Sequence, residues 1–189
     1  MFVQEQGIVL SLRPFGDADY IVNFFGEKYG KQAGIAKSAR SSRKRFGGLM
    51  TGTILDMQYR TRSYSEVVFF KEIQPALTHL EWRKEFDMMV CVMFALELAA
   101  KTLAEAQPAE RKFALLKNFM STIEFSRWRE QFFEWEFAWL AECGWEWQGE
   151  RPAITKKNAL SMQKKLDRYI QEVIGPKKFK VGPGFHNVL

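Results

Sequence analysis

The sequence predicts an α+β protein in which a five-stranded barrel is followed by an all-helical domain. Short segments rich in β-branched and aromatic residues, separated by Gly and Pro turns, occupy the region before Pro75. After Pro75 the apolar residues recur at the spacing of helices. The chain has 189 residues, of which 47% are hydrophobic and 15% aromatic, so it is long enough to form both cores.

The predicted barrel consists of five short strands, which is the strand number of an OB-fold. An SH3-like barrel would give nearly the same pattern. Ile54, Met57 and Tyr59 are candidate core residues of the fourth strand. The predicted strands span residues 7–12, 19–25, 32–37, 53–59 and 64–71.

Four helices are predicted after the barrel, with Ser126 as the N-cap of the third and Gly144 as the residue that follows its end. The helices span residues 77–106, 109–124, 127–143 and 158–174. The predicted organisation is therefore a barrel domain over residues 1–76, a helical domain over 77–176 and a basic tail over 177–189.

The net charge of +6 is unevenly distributed along the chain. Residues 1–80 hold 11 Lys/Arg and 7 Asp/Glu, residues 81–150 hold 8 and 13, and residues 151–189 hold 9 and 2. This basic–acidic–basic order predicts two regions that face polyanions and a middle with a different task.

A strongly basic loop separates the third and fourth predicted strands. It holds five cations and no acidic residue, and Gly47-Gly48 follows it. Cations of this kind bind phosphate oxygens, and arginine can do so through two hydrogen bonds. The sequence therefore predicts that the loop binds single-stranded nucleic acid; the alternative is a merely solvated loop. The loop cations are Lys37, Arg40, Arg43, Lys44 and Arg45.

Residues beyond the loop extend this predicted interface. Arg60 and Arg62 would continue the cationic track, and Arg13 completes the set of candidate DNA-binding residues. Tyr59 and Tyr64 would provide aromatic surfaces on which bases stack.

No catalytic or metal-binding pattern is evident in the sequence. Cys91, Cys143, His79 and His186 are widely separated, unlike the ligands of a structural zinc site. The predicted state of Cys91 is a small buried apolar residue with a reduced thiol. We expect no cofactor and no enzymatic activity.

The third predicted helix carries several glutamates between aromatic residues. Glu130 and Glu134 share a helical face, which favours a solvated surface. A metal-dependent hydrolase that uses these two carboxylates is the alternative. The aromatic residues themselves are predicted to be mostly core.

No membrane association is expected. The chain begins without a secretory signal pattern. Its most apolar window, residues 88–100, contains Glu97 and is shorter than the roughly 20 residues that cross a bilayer. A cytoplasmic location is predicted.

Several segments, taken in order, resemble the DNA repair protein RecO family. The basic loop resembles the barrel loop of that family, in which a Gly commonly stands at the position of Ser38. The other segments are Glu5-x-Gly7-Ile8-Val9-Leu10-x-x-Arg13-x-x-Gly16-Asp17-x-Asp19, Ala95-Leu96-Glu97-Leu98, Phe133-Glu134-Trp135-x-Phe137-x-x-Leu140 and Tyr169-Ile170-x-x-Val173-Ile174-Gly175.

The resemblance implies an OB-fold joined to a helical domain and a non-enzymatic mediator of DNA recombination and of the repair of DNA damage. Such proteins bind single- and double-stranded DNA and anneal complementary strands in the nucleoid. They act with RecR, and often RecF, to load RecA onto DNA covered by single-stranded DNA-binding protein (SSB).

The chain also departs from the family pattern. Many members have a four-cysteine zinc module after the third helix, whereas residues 150–158 contain no cysteine. The chain therefore resembles a short form without that module. Val181-Gly182 stands where the family has a characteristic serine.

An adaptor function is the second hypothesis, because the acidic, aromatic middle of the chain is an unusual surface for DNA. The resemblance implies one partner, the acidic apolar C-terminal tail of SSB. Such a tail requires a hydrophobic pocket with nearby cations, and the sequence leaves the choice open. The candidates are Lys101, Arg111, Lys112, Arg127 and Arg129.

Overall fold

A computed structural model describes residues 2–60, 67–76, 80–145, 153 and 158–174. The chain divides into two compact units. The barrel unit comprises Met1–His79 and Leu103–Lys117, and the helical unit comprises Leu80–Thr102 and Asn118–Leu189. The predicted domain limits at residues 76 and 176 stay predictions, and the predicted basic tail lies outside the described residues.

Five strand pairings close the barrel in the order β1-β2-β3-β5-β4, and β4 pairs with β1. All are antiparallel except the one between β3 and β5. This topology confirms the predicted OB-fold and excludes the SH3-like alternative. The strands are β1 (Phe2–Phe15), β2 (Asp19–Gly26), β3 (Gly30–Ala36), β4 (Ile54–Arg60) and β5 (Val68–Pro75).

Two strands differ by more than two residues from their predicted limits. β1 begins at Phe2, five residues earlier than expected, because its first residues pair with β4 from Phe2↔Arg60 to Gln6↔Asp56. Cross-strand pairing thus extends this strand beyond its local propensity. β5 spans Val68–Pro75, which is shifted towards the C-terminus relative to the predicted 64–71. Residues 64–66 of that prediction lie outside the described part of the chain.

The barrel interior is filled by inward-facing aromatic and aliphatic side chains. Phe24 packs edge-on against Tyr59 and Phe70, with ring centroids 5.7 and 5.3 Å apart. Ile54, Met57 and Tyr59 are fully buried, which confirms the predicted core positions of β4. Such edge-to-face pairs each contribute roughly 0.5–1.5 kcal/mol beyond the burial of their surface.

The N-terminal part of β3 is covered by residues 103–109, which follow the first long helix in the chain. Among the described residues, β3 pairs with β5 only at Gly34↔Val68 and Ile35↔Phe69. Lys31 instead forms a bridge with Glu105, and its carbonyl accepts the Ala106 N–H at 2.8 Å. The Lys31 ammonium also lies 3.0 Å from the Glu105 carboxylate. These contacts hold residues 103–109 against the barrel.

The described helices are shorter than the predicted ones. A 3-10 turn at Glu81–Lys84 precedes the first long helix, so a single helix over residues 77–106 is wrong. Glu85 is extended, which breaks the helix, and the bridge to β3 removes residues 105 and 106 from it. The helices are α1 (Arg43–Phe46), α2 (Phe86–Thr102), α3 (Glu110–Thr122), α4 (Trp128–Glu142) and α5 (Ala159–Ile174).

The ends of α4 show one wrong and one confirmed prediction. Arg127, not Ser126, is the N-cap, and no side chain caps this end. A turn in which the Arg127 N–H donates to the Glu124 carbonyl shifts the helix start. At the other end, Gly144 adopts φ +89° directly after the helix, as predicted.

The core of the helical unit is aromatic. Phe119 stacks on Trp135 with ring centroids 5.1 Å apart, and Phe94 meets Phe132 at 5.9 Å. The indole N–H of Trp139 donates to the Thr102 hydroxyl at 3.0 Å. Most aromatic residues of this region are therefore core, as predicted. Among the described residues, no helix has the length and apolar character needed to cross a bilayer.

Candidate nucleic-acid interface

The basic loop follows β3, includes the short helix α1 at its end and has a defined backbone conformation. Ser38 adopts φ +57°, and its N–H donates to the Asp19 carboxylate at 2.8 Å. The carbonyl of Ser38 accepts the N–H of Ser42 at 2.9 Å, which closes a tight turn. The loop is therefore held against the start of β2 and presents its side chains from a fixed frame.

Phe46 anchors the end of this loop in the barrel. It is the last residue of α1, and its ring is buried in the barrel core, whereas Lys44 and Arg45 on the same short helix are exposed. The Arg45 Nε donates to the Ser42 hydroxyl at 3.2 Å, and its guanidinium lies 5.3 Å from the Phe46 ring. Only the backbone of Arg43 is described.

Arg40 connects the loop to the turn between β1 and β2. Its guanidinium donates to the Asp17 carbonyl at 3.0 Å, and its N–H donates to the Ala18 carbonyl at 3.0 Å. The side chain remains exposed. Among the described residues, no carboxylate forms a salt bridge with Arg40, Lys44 or Arg45, so their positive charges are available to an external anion.

A row of outward-facing side chains crosses four neighbouring strands at one end of the barrel. Strand pairing places Phe2 opposite Arg60, Arg60 opposite Phe69, and Phe69 opposite Ile35. The Arg60 guanidinium lies 4.7 Å from the centre of the Phe2 ring, and Lys37 lies 5.5 Å from that of Phe69. Phe2, Arg60, Phe69, Ile35 and Lys37 are called the outer row below.

Arg13 continues the outer row around the barrel on the side beyond Ile35. Ile35 pairs with Ile21 of β2, and Ile21 pairs with Arg13 of β1. Arg13 is exposed. The strand register therefore joins Arg13 to the outer row through two half-buried isoleucines.

The structure separates the sequence-predicted site residues into four groups, one of which is Arg43, described by its backbone alone. Lys37, Arg40, Lys44, Arg45, Arg60 and Arg13 are all exposed on the barrel unit. Arg62 and Tyr64 lie outside the described residues. Tyr59 is fully buried, so its predicted role as a base-stacking surface is wrong.

The inward position of Tyr59 follows from strand alternation. Leu55, Met57 and Tyr59 share the inner face of β4, whereas Arg60 points outward. The Tyr59 hydroxyl bonds to the Glu5 carboxyl and, at 3.0 Å, to Gln32. The aromatic residues of β1 and β5 that reach the surface are Phe2, Phe15 and Phe69. Phe2 and Phe15 lie outside the predicted first strand, whereas Phe69 lies within the predicted fifth strand, where strand alternation could have assigned it to the outer face.

Glu5 is the acidic member of this buried network. Burial raises the pKa of its carboxyl, and hydrogen bonds from the Tyr59 hydroxyl and the Lys28 N–H oppose that rise. The Lys28 N–H donates to Glu5 at 2.7 Å. The hydrogen bonds of this network join β1, β3 and β4 inside the barrel. The outward faces of the same strands carry Phe2, Ile35 and Arg60 of the outer row.

The helical unit contains a second buried carboxyl. Glu136 on α4 is fully buried, so the prediction of a solvated helix fails at this position, whereas Glu130 and Glu134 are exposed as predicted. Burial raises the pKa of Glu136 to about 8, a hydrogen bond from Gln163 lowers it and the charge of Asp167 raises it. Among the described residues, no group of His, Cys, Asp and Glu side chains is arranged to hold a metal ion.

Three of the candidate cations for a protein partner contact neighbouring side chains of the helical unit. Lys101 pairs with Glu97 at 2.9 Å, and Arg127 pairs with Glu130 at 3.3 Å. Arg129 lies 4.1 Å from the ring centre of Trp128. Cys91 is buried and unbridged, as predicted, and burial raises the pKa of its thiol well above the ordinary value.

Two family profiles match the chain in order. The profile described as "Recombination protein O N terminal" matches residues 1–78, and the one described as "Recombination protein O C terminal" matches residues 83–164. The chain belongs to the RecO family. RecO membership supports a role in DNA repair, and the OB-fold barrel and helices agree with it.

Several relatives named "DNA repair protein RecO" are similar to this chain. The RecO of Anaeromyxobacter sp. (strain K) is 28% identical over 123 residues, which cover 65% of this chain and 48% of that protein. The Ehrlichia chaffeensis RecO is 24% identical over 176 residues, which cover 91% and 71%. The RecO of Wolbachia pipientis wMel is 21% identical, with coverage of 91% and 72%. The Anaeromyxobacter match thus spans about half the length of that relative.

Proposed function

We propose that this chain is a non-enzymatic RecO-type mediator that binds single- and double-stranded DNA through its barrel. It anneals complementary strands and helps to load RecA onto single-stranded DNA covered by SSB, together with RecR and, in some cells, RecF. Its place of action would be the cytoplasm, at the nucleoid. The observation that carries the proposal is the basic loop, whose cations project from a fixed turn without acidic partners among the described residues.

Phosphate binding by this loop has a simple physical basis. One short segment exposes three cations, Arg40, Lys44 and Arg45. Several of them can neutralise phosphates of one DNA strand at the same time, which releases the counterions bound to those phosphates. Backbone contacts of this kind bind DNA without reading its sequence. This suits a protein that must act on any pair of complementary strands.

Salt dependence provides the test of DNA binding. Anisotropy of labelled oligothymidine, and of a duplex of matched length, is measured from about 50 to 300 mM salt. In the variant with Arg40, Lys44 and Arg45 all changed to Ala, we expect the slope of log K against log salt for the single strand to decrease by about 2, because each contact contributes roughly 0.7. Binding that does not change with salt, or an unaltered slope in the variant, contradicts the proposal.

A charge-matched variant controls for net charge. Lys84, Lys101 and Arg127 each form a salt bridge within the helical unit. Their joint replacement by Ala removes the same formal charge and should leave the slope nearly unchanged. Annealing of uncoated complementary strands is then compared for the wild type and the two variants, and only the loop variant should be slow. SSB is left out of this assay because Lys101 and Arg127 are candidate contacts of its tail.

An adaptor function is the second candidate, and exposed apolar residues favour it. The helical unit exposes Phe86 and Phe125 by 66% and 67%, and Met89 by 37%. These side chains suit the apolar end of the acidic SSB tail, with cations such as Arg127 for its charges. A tail peptide is titrated against the protein; absence of micromolar binding, or equal binding after replacing Phe86 and Phe125 by Ala, contradicts this candidate.

A further inference from the structure

The outer row combines exposed aromatic rings with cations on the barrel surface. Phe2 is 64% exposed and Phe69 is 47% exposed, although both belong to strands whose inner faces are fully packed. Single exposed apolar residues are common on protein surfaces. Phe2 and Phe69, in contrast, are two exposed rings that flank Arg60 on the neighbouring strands β1 and β5, so the three side chains form a patterned surface.

The geometry of the row suits flat ligands. Phe2 and Phe69 lie two strands apart, which corresponds to roughly 9–10 Å across the sheet. Arg60 lies on the strand between them, and its planar guanidinium is near the Phe2 ring. Lys37 approaches the Phe69 ring from the other side. Rings and cations therefore alternate along the row.

Nucleobases match this pattern better than an apolar peptide does. Bases stack on aromatic side chains, and the phosphates that join them require cations close by. A purely apolar partner would have to desolvate Arg60 and Lys37 without giving them a charge partner, which is costly. In a duplex the base faces are already stacked on each other, so only single strands can offer them.

We propose that Phe2, Arg60, Phe69 and Lys37 form a base-stacking platform that makes the barrel prefer single-stranded over double-stranded DNA. This inference rests on the proposed function. It assigns different tasks to two neighbouring surfaces: the basic loop binds phosphates in either form of DNA, and the outer row recognises exposed bases. Lys37 belongs to both surfaces, which places them side by side.

The test compares three probes with one pair of substitutions. Oligothymidine, an abasic oligonucleotide of the same length and a matched duplex are titrated against the full chain. The wild type should bind oligothymidine more tightly than the abasic strand. Replacing Phe2 and Phe69 by Ala should weaken oligothymidine binding about tenfold for each ring. Abasic and duplex binding, and the salt dependence, should stay unchanged.

Two further variants control for folding and for hydrophobicity. Phe86 and Phe125 have nearly the same exposure as Phe2, so their replacement by Ala is chemically matched and should leave all three affinities unchanged. Replacing Phe2 and Phe69 by Tyr keeps the rings and should retain oligothymidine binding, whereas replacement by Leu should not. Circular dichroism confirms that each variant is folded.

The outcomes separate this inference from the proposed function. If the loop variant loses DNA while the variant without Phe2 and Phe69 still prefers oligothymidine to the abasic strand, the platform is refuted and the DNA-binding function stands. Equal wild-type affinity for the two strands also refutes the platform. If the wild type binds none of the probes, both proposals fail.

Discussion

The side-chain amide of Gln163 on α5 donates a hydrogen bond of 3.2 Å to the buried carboxyl of Glu136 on α4. Among the described residues, the second carboxyl oxygen of Glu136 and the amide oxygen of Gln163 have no hydrogen-bond partner. Two buried acceptors without a donor are unfavourable. A proton on Glu136 removes one of these acceptors and supplies a donor, which agrees with the raised pKa.

The stability of the protein should therefore decrease as the pH rises. In the unfolded chain a glutamate ionises near pH 4.5, whereas burial raises the pKa of Glu136 to about 8. The stabilisation is fully present below pH 4.5 and is lost as the pH rises through 8. Glu136→Gln should remove most of this decrease, which is on the order of a few kcal/mol. Urea unfolding between these pH values measures it.

Glu134→Gln is the matched control on the same helix. Glu134 is exposed, so its loss should leave the pH profile of the free energy of unfolding as in the wild type. A wild-type profile without a decrease over this range, or equal profiles for the two variants, would contradict the assignment to Glu136.

Ser38→Gly should stabilise the barrel. Ser38 has φ +57°, a left-handed conformation that Gly adopts more easily than Ser. We expect a gain of about 0.5–1 kcal/mol in the free energy of unfolding. Ser38→Ala keeps the Cβ and should give no gain. A Gly variant no more stable than the Ala variant in urea would show that backbone strain at this turn is negligible.

Gly30→Ala should be much more destabilising than Gly16→Ala. Both glycines have positive φ, but a Cβ at Gly30 would lie 1.9 Å from the carbonyl oxygen of Gln107, whereas no atom of the described residues lies within 4 Å of a Cβ at Gly16. We expect a loss of about 3 kcal/mol or more for Gly30 and about 1 kcal/mol for Gly16. Equal midpoints in thermal unfolding would mean that residues 103–109 do not pack against the β2–β3 turn.

Tyr59→Phe should lower stability without removing DNA-contacting atoms. The change deletes the hydroxyl that bonds to Glu5 and Gln32, so the pKa of Glu5 should rise further. A loss of about 1–3 kcal/mol is expected from the groups left unsatisfied. Oligonucleotide affinity, measured well below the unfolding temperature, should equal that of the wild type. A selective loss of affinity would restore Tyr59 as a contact residue.

The sequence predicts the strand number and the barrel because turns and alternation are local signals. It does not predict the start of β1, where Glu5 points inward and breaks the apolar pattern. That carboxyl is compatible with the core because the Tyr59 hydroxyl and the Lys28 N–H, both distant in sequence, supply hydrogen bonds. The Glu105 bridge to β3 likewise falls within the predicted first helix, and the helix propensity of residues 103–106 does not reveal it.

The candidate site shows the same division between local and distant information. The cations of the basic loop are visible in the sequence as a run of charge. The outer row depends on the register of four strands, which places Phe2 and Phe69, 67 positions apart, on neighbouring parts of one surface. No local pattern reveals this neighbourhood.

The cover that residues 105 and 106 provide for β3 has a consequence for partner choice. A peptide that bound by adding a strand there would have to displace the Glu105 bridge and the Ala106 hydrogen bond. A partner that bound beside β3 without displacing residues 105 and 106 would therefore have to use side chains instead of main-chain pairing. Because side chains can change without disturbing the backbone ladder, partner preference on this barrel can diverge by single substitutions while the fold is retained.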